Sequence, residues 1–161
     1  MNQAKKVRIE QAAHEAWERT QKHLHSLHHC LARSDVMRHH HDALVQEMTE
    51  ADHPDAFNNV KKVRFMAYLS FWYTALSGVI ERYEQLRDDG SIPADPDIDH
   101  LLTDDFKNIV KPFRNSVAHC SAYDDRRTLE IFEHEATVPD HAASLAQAFH
   151  SYFNTHKRAK A

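Results

Sequence analysis

The sequence predicts an all-α fold, an antiparallel helical bundle with one long central helix, and three observations carry that expectation. Gly occurs 2 times and Pro 5 times in 161 residues, whereas strand bulges and hairpin turns depend on glycine. The stronger helix formers Ala, Leu, Glu, Gln, Arg and Lys are plentiful. Apolar residues recur at steps of three and four along most of the chain. A chain of roughly 150 residues buries about two-thirds of its unfolded surface in a single core, so one domain over 1–161 is expected.

Residues 1–50 read as the N-terminal helices. Ile9, Ala13, Ala16, Thr20, Leu24, Leu27 and Leu31 place one mostly apolar stripe on a first helix, with Trp17 beside it. Ser34-Asp35 can cap a following segment whose stripe is Met37, His41, Leu44 and Met48, so the region is one bent helix or two. Asp52-His53-Pro54-Asp55 predicts a turn, because proline removes a donor and disfavours helix in the residue before it.

A central helix is expected over 57–88. Its stretch from Phe65 to Ile80 carries no charge and is apolar on nearly every face. A membrane span needs about 20 such residues, and this run is shorter and flanked by dense charge, so no membrane is expected. A helix apolar all round is normally buried all round. That predicts packing on its own bundle by one face and on a second copy by another, and hence a homodimer.

Gly90 can end this helix, and Pro93 and Pro96 are expected to keep the segment from Asp88 to Pro96 a loop. A helix over 103–120 follows, with Phe106, Val110, Phe113, Val117 and Cys120 on its core stripe. Pro112 predicts a kink or a fresh start within it. Tyr123 to Arg127 reads as a turn, and Thr128 to Phe132 as a short extended piece. Pro139-Asp140 opens a last helix over 139–156, with Ala142, Leu145, Phe149 and Phe153 on its apolar face.

A formal net charge of -4 excludes the broad electropositive surface of a nucleic-acid coat, so any RNA site is local. Gly78 and Gly90 are the only glycines, which excludes a phosphate-binding glycine loop. Cys30 and Cys120 form no pattern, and the charged start Met1 to Lys6 does not read as a signal peptide. A reducing cytoplasm is therefore expected. The 15 histidines include His25 and His29, four apart on a helix, a spacing that can chelate a metal. They are the weak candidate ligands, since no recognised zinc spacing is completed, and neither a metal centre nor a cofactor is expected. His41 is expected to face the core.

The most informative residues are Arg114-Asn115-Ser116-Val117-Ala118-His119. A permanently charged guanidinium near an imidazole that titrates close to neutrality suits phosphate chemistry. On a helix Asn115 and His119 share a face, whereas Arg114 and His119 stand about 140° apart. Both reach one anion if the arginine stem curls round, or if a two-fold partner sets its own copy opposite. The alternative is structural, with Arg114 bonded to Glu81 or to helix C-terminal carbonyls and with Asn115 and His119 capping the helix.

Arg114-Asn115 followed by three variable residues and His119 resembles the signature of HEPN domains, the higher eukaryotes and prokaryotes nucleotide-binding group. The resemblance extends to Phe71-Trp72-Tyr73-Thr74-Ala75-Leu76 with Glu81 beyond it, to the acidic stretch Asp95 to Leu102, and to Ala148 to Phe153. It covers residues 58 to 155 and is to uncharacterised bacterial members. It implies a metal-independent endoribonuclease, a toxin or antiviral factor, with its site at a dimer seam, an RNA substrate and a possible antitoxin partner. His119 would then be the general acid or base for attack of a ribose 2′-hydroxyl on phosphorus, Arg114 would hold the phosphate, and Asn115 would orient either. One departure is Ser121, where some toxin members carry tyrosine. The alternative within the same fold is a non-catalytic nucleotide-binding or protein-docking module.

Overall fold

Five helices make up the described chain, with no strand among the described residues: α1 (Gln3–Gln46), α2 (Asn59–Asp88), α3 (Pro96–Leu101), α4 (Asp104–His119) and α5 (Val138–Arg158). The computed structural model describes residues 3–47, 59–119 and 138–158, less the side chains of residues 4, 59, 62, 112–119, 157 and 158. The expected turns at 52–55 and 123–127, the extended piece at 128–132, Met48 and Cys120 lie outside the described residues. None of the helices among them is long and apolar enough to cross a membrane.

The N-terminal region is one uninterrupted helix rather than two. Ser34 does not cap a new segment, because it sits mid-helix and is buried. Its neighbour Asp35 instead accepts from His150 Nε2 at 2.8 Å, which ties α1 to α5. The apolar stripe is buried only from Leu24 onward, through Leu27, Leu31 and Leu44, while Ile9, Ala13 and Ala16 are exposed. Thr20 Oγ1 donates to the Ser91 carbonyl, at the corner after α2. With 44 residues against 30, α1 outruns α2 by roughly 20 Å, leaving its first turns no apolar surface to cover. His41 does face the core, with its ring against Phe65 and Trp72 at 5.0 and 5.4 Å.

The core is centred on α2, whose Trp72, Tyr73, Leu76, Val79, Ile80, Tyr83 and Leu86 are all buried. Within a single copy one face of α2 is left open, where Val60, Val63 and Phe71 are 69 %, 59 % and 49 % exposed. Gly90 ends the helix with φ +72°, and the amides of Ser91 and Ile92 return to the Leu86 carbonyl, a left-handed cap that glycine adopts without strain.

The segment after that cap is not all loop. Asp95 caps α3 by accepting from the amides of Asp97 and Ile98, and Pro96 takes the first helical position. A proline there loses nothing, because that amide has no partner within the helix and its φ is already helical. Proline thus starts a helix where it was expected to forbid one.

Tyr83 fastens this corner. Its hydroxyl accepts from the Asp95 amide at 2.9 Å and donates to Asp99 Oδ1 at 3.3 Å, while Arg87 Nη1 donates to the same carboxylate oxygen at 2.6 Å. Burial first, and the neighbouring Asp99 carboxylate after it, push the Tyr83 hydroxyl up to about 12. From α5, Tyr152 donates to the Pro93 carbonyl and His141 Nε2 donates to the Leu101 carbonyl.

Thr103 begins α4 by accepting from the Phe106 amide. Phe106 and Val110 are buried against the core. The helix passes through Pro112 without a fresh start: the proline deletes one backbone hydrogen bond, and the packed first half and the turns beyond it hold the rest in register. On α5, Ala142, Leu145, Phe149 and Phe153 are buried as their spacing predicts.

Two outcomes follow in denaturant and pH titrations. Leu27→Ala should cost about 2–5 kcal/mol by emptying a core site, and Ile9→Ala about 0.5 kcal/mol or less; equal losses would contradict the exposed start of α1. For Tyr83 the folded value lies above the unfolded value near 10. Its contribution is therefore complete below pH 10 and lost as pH rises through about 12. Tyr83→Phe should lower stability at pH 7 and flatten the alkaline decline, and an unchanged slope would remove this role.

Candidate functional site

The residues singled out for phosphate chemistry, Arg114, Asn115 and His119, all lie in the last two turns of α4. Their side chains lie outside the described residues. The backbone alone keeps Asn115 and His119 on one face and sets Arg114 about 140° from His119. Lys107, Lys111 and Arg114 follow one another at steps of four and three, so they occupy one row of α4.

Ser77, Glu81 and Glu84 of α2 lie across from that row, and they continue a polar row that Ser70 and Thr74 begin, at steps of four, three, four and three. The two helices meet in antiparallel register, with Lys107 Nζ donating to Glu84 Oε1 at 3.2 Å and to Asp104 Oδ1 at 3.0 Å. Those hydrogen bonds, Asp104 first, hold the Lys107 ammonium above its ordinary range. A groove of about 240 Å³ opens along the seam, bordered by Ser77, Glu81 and Glu84 on one side and Lys107, Asn108 and Lys111 on the other. The register brings residue 114 to the level of Ser77, one turn from Glu81 and one from Thr74.

The α2 row mixes burial with polarity. Ser70 and Ser77 are buried, and the Thr74 hydroxyl oxygen is buried without a hydrogen-bond partner among the described residues. A lone buried hydroxyl is costly. The seam is therefore where the apolar packing of α2 gives way to polar chemistry. In the sequence this row shows only as a 4-3-4-3 spacing, because its hydroxyls are embedded in an uncharged run whose apolar residues dominate the pattern.

Beside the seam, Val60, Val63, Ala67, Phe71 and Gly78 occupy an arc of about 80° on α2. Val60, Val63, Phe71 and Gly78 are exposed along it, an apolar strip that nothing in a single copy of the described chain covers.

Elsewhere, His25 and His29 are exposed on α1 with their Nε2 atoms 3.1 Å apart. Cys30 is a free, half-buried thiol packed against the core. No group of three or more metal-ligating side chains occurs among the described residues. Comparison with known protein families, with curated proteins and with solved structures finds no match to this chain.

Proposed function

We propose that this protein is a HEPN-type, metal-independent endoribonuclease that acts as a homodimer, with Arg114, Asn115 and His119 as its working residues. The observation that carries the reading is the unbroken helical backbone from Asp104 to His119, which holds the whole Arg-Asn-x-x-x-His motif on the same element whose earlier residues Lys107, Asn108 and Lys111 border the groove against α2. The exposed strip of Val60, Val63 and Phe71 supports the dimer. It flanks the seam that α4 forms with α2, so a second copy docked there lies close to the motif helix.

In this mechanism His119 takes the proton of a ribose 2′-hydroxyl as the oxygen attacks phosphorus, and an imidazole returns a proton to the departing 5′-oxygen. An unperturbed pKa near 6.5 permits both steps at neutral pH. Arg114 holds the phosphate and stabilises the charge that gathers on it. Asn115 orients the imidazole or the phosphate. The products are a 2′,3′-cyclic phosphate and a free 5′-hydroxyl. A toxin or defence role, RNA as substrate, an antitoxin partner and a cytoplasmic site of action belong to the same proposal.

A second reading, a non-catalytic nucleotide-binding or protein-docking module, is favoured by one observation. Three carboxylates, Glu81, Glu84 and Asp104, line the groove, and Lys107 is already engaged by two of them. That arrangement weakens attraction for a polyanion.

The test expresses wild type, Arg114→Ala and His119→Ala in a bacterial host and assays each purified protein on RNA in EDTA. Wild type should slow growth and cleave RNA to cyclic-phosphate ends. Each substitution should cut the rate at least about 100-fold. Equal RNA decay in all three, or none in any, would leave the module reading.

A further inference from the structure

We propose that His25 and His29 form an open, two-imidazole site for a borderline divalent transition metal ion such as Ni²⁺, Cu²⁺ or Zn²⁺. Both residues lie well inside α1, which runs unbroken from Gln3 to Gln46, so their spacing is set by a backbone that needs no rearrangement. Both are exposed. Their Nε2 atoms are 3.1 Å apart, and the rings meet edge to face at 83° with centroids 4.5 Å apart.

That separation is close to the bite a metal requires. An ion about 2.05 Å from each nitrogen subtends roughly 98° between them, intermediate between octahedral and tetrahedral angles. Between neutral rings a contact of this length requires one Nε2–H pointing at the other ring's lone pair. On binding, that hydrogen moves to the outward Nδ1 of its own ring, and the ion takes its place between two lone pairs. Neutral imidazole is a favoured ligand for these ions.

The neighbouring histidines are engaged in other ways. His28 packs on Phe153, His40 stacks on Tyr68 and His41 is buried against Trp72. Since the described residues offer no third metal-ligating side chain here, water completes the coordination shell. Lys22 and Arg33, one turn away on either side, oppose a dication. The site is thus labile and exchangeable, a clip across one turn of α1 that binds only while that turn is helical. It is separate from the chemistry proposed for α4.

The experiment uses untagged full-length protein, stripped with EDTA and exchanged into chelator-free buffer, then titrated with NiCl₂ by calorimetry and by thermal melting. Because an ion that binds only the folded chain stabilises it in proportion to its concentration, the melting temperature of wild type should climb with Ni²⁺, with one ion lost from the calorimetric stoichiometry in His25→Ala or His29→Ala. Either substitution should abolish that climb, whereas His39→Ala/His40→Ala should preserve it. Far-UV circular dichroism of the metal-free variants checks that all are folded. A wild type that Ni²⁺ leaves unshifted, or a shift that survives in His25→Ala, would overturn the site.

Discussion

Burial of α2 is the constraint on which the rest of the structure depends. Trp72, Tyr73, Leu76 and Tyr83 are each 2 % exposed or less, and side chains of that size are worth about 2–3 kcal/mol apiece when removed from water. The other elements are arranged to supply that cover. α1 lays Leu24, Leu27 and Leu31 along α2, and α4 adds Phe106 and Val110. From α5, Phe149 and Tyr152 meet the Tyr83 ring edge to face at 5.4 and 6.0 Å. Tyr83 joins the two kinds of stabilisation, since its ring is core and its hydroxyl holds the α3 corner.

The same helix cannot be apolar throughout, and where it departs from that rule the molecule has its chemistry. Ser77, Glu81 and Glu84 face α4 with a hydroxyl and two carboxylates, and Lys107 answers the acidic end. On the adjoining arc, Phe71 and the two valines are presented to solvent. A monomer gains nothing from either feature: a hydroxyl buried with no partner among the described residues costs stability, and large apolar side chains left in water contribute none. Their juxtaposition with the motif helix is what links the fold to the proposed dimeric ribonuclease.

Much of this architecture was legible in the sequence wherever a period and a covering surface coincided. The central helix, the α5 stripe and the inward His41 are of that kind. Ile9, Ala13 and Ala16 continue the α1 stripe faithfully and remain exposed, because periodicity reports an amphipathic face and not the length of the partner beneath it. Ser34-Asp35 has the composition of a cap, but its tertiary contacts, burial for Ser34 and His150 for Asp35, keep the helix whole. Pro96 and Pro112 show position deciding the effect of one residue type: the first starts α3 and the second lies inside α4 without ending it. Of the candidate site, Arg114, Asn115 and His119 stood out through their chemistry and spacing. The α2 row opposite did not, because serine and threonine in an apolar run carry little signal until a second helix lies against them.

The central claim is that α2 is both the spine of one bundle and its proposed seam with a second copy. Sedimentation velocity of wild type beside Phe71→Glu, at matched concentrations and with helical content checked by circular dichroism, tests it most directly. The account predicts a dimer for wild type and a folded monomer for the variant. A monomeric wild type, or a variant that still sediments as a dimer, would contradict it.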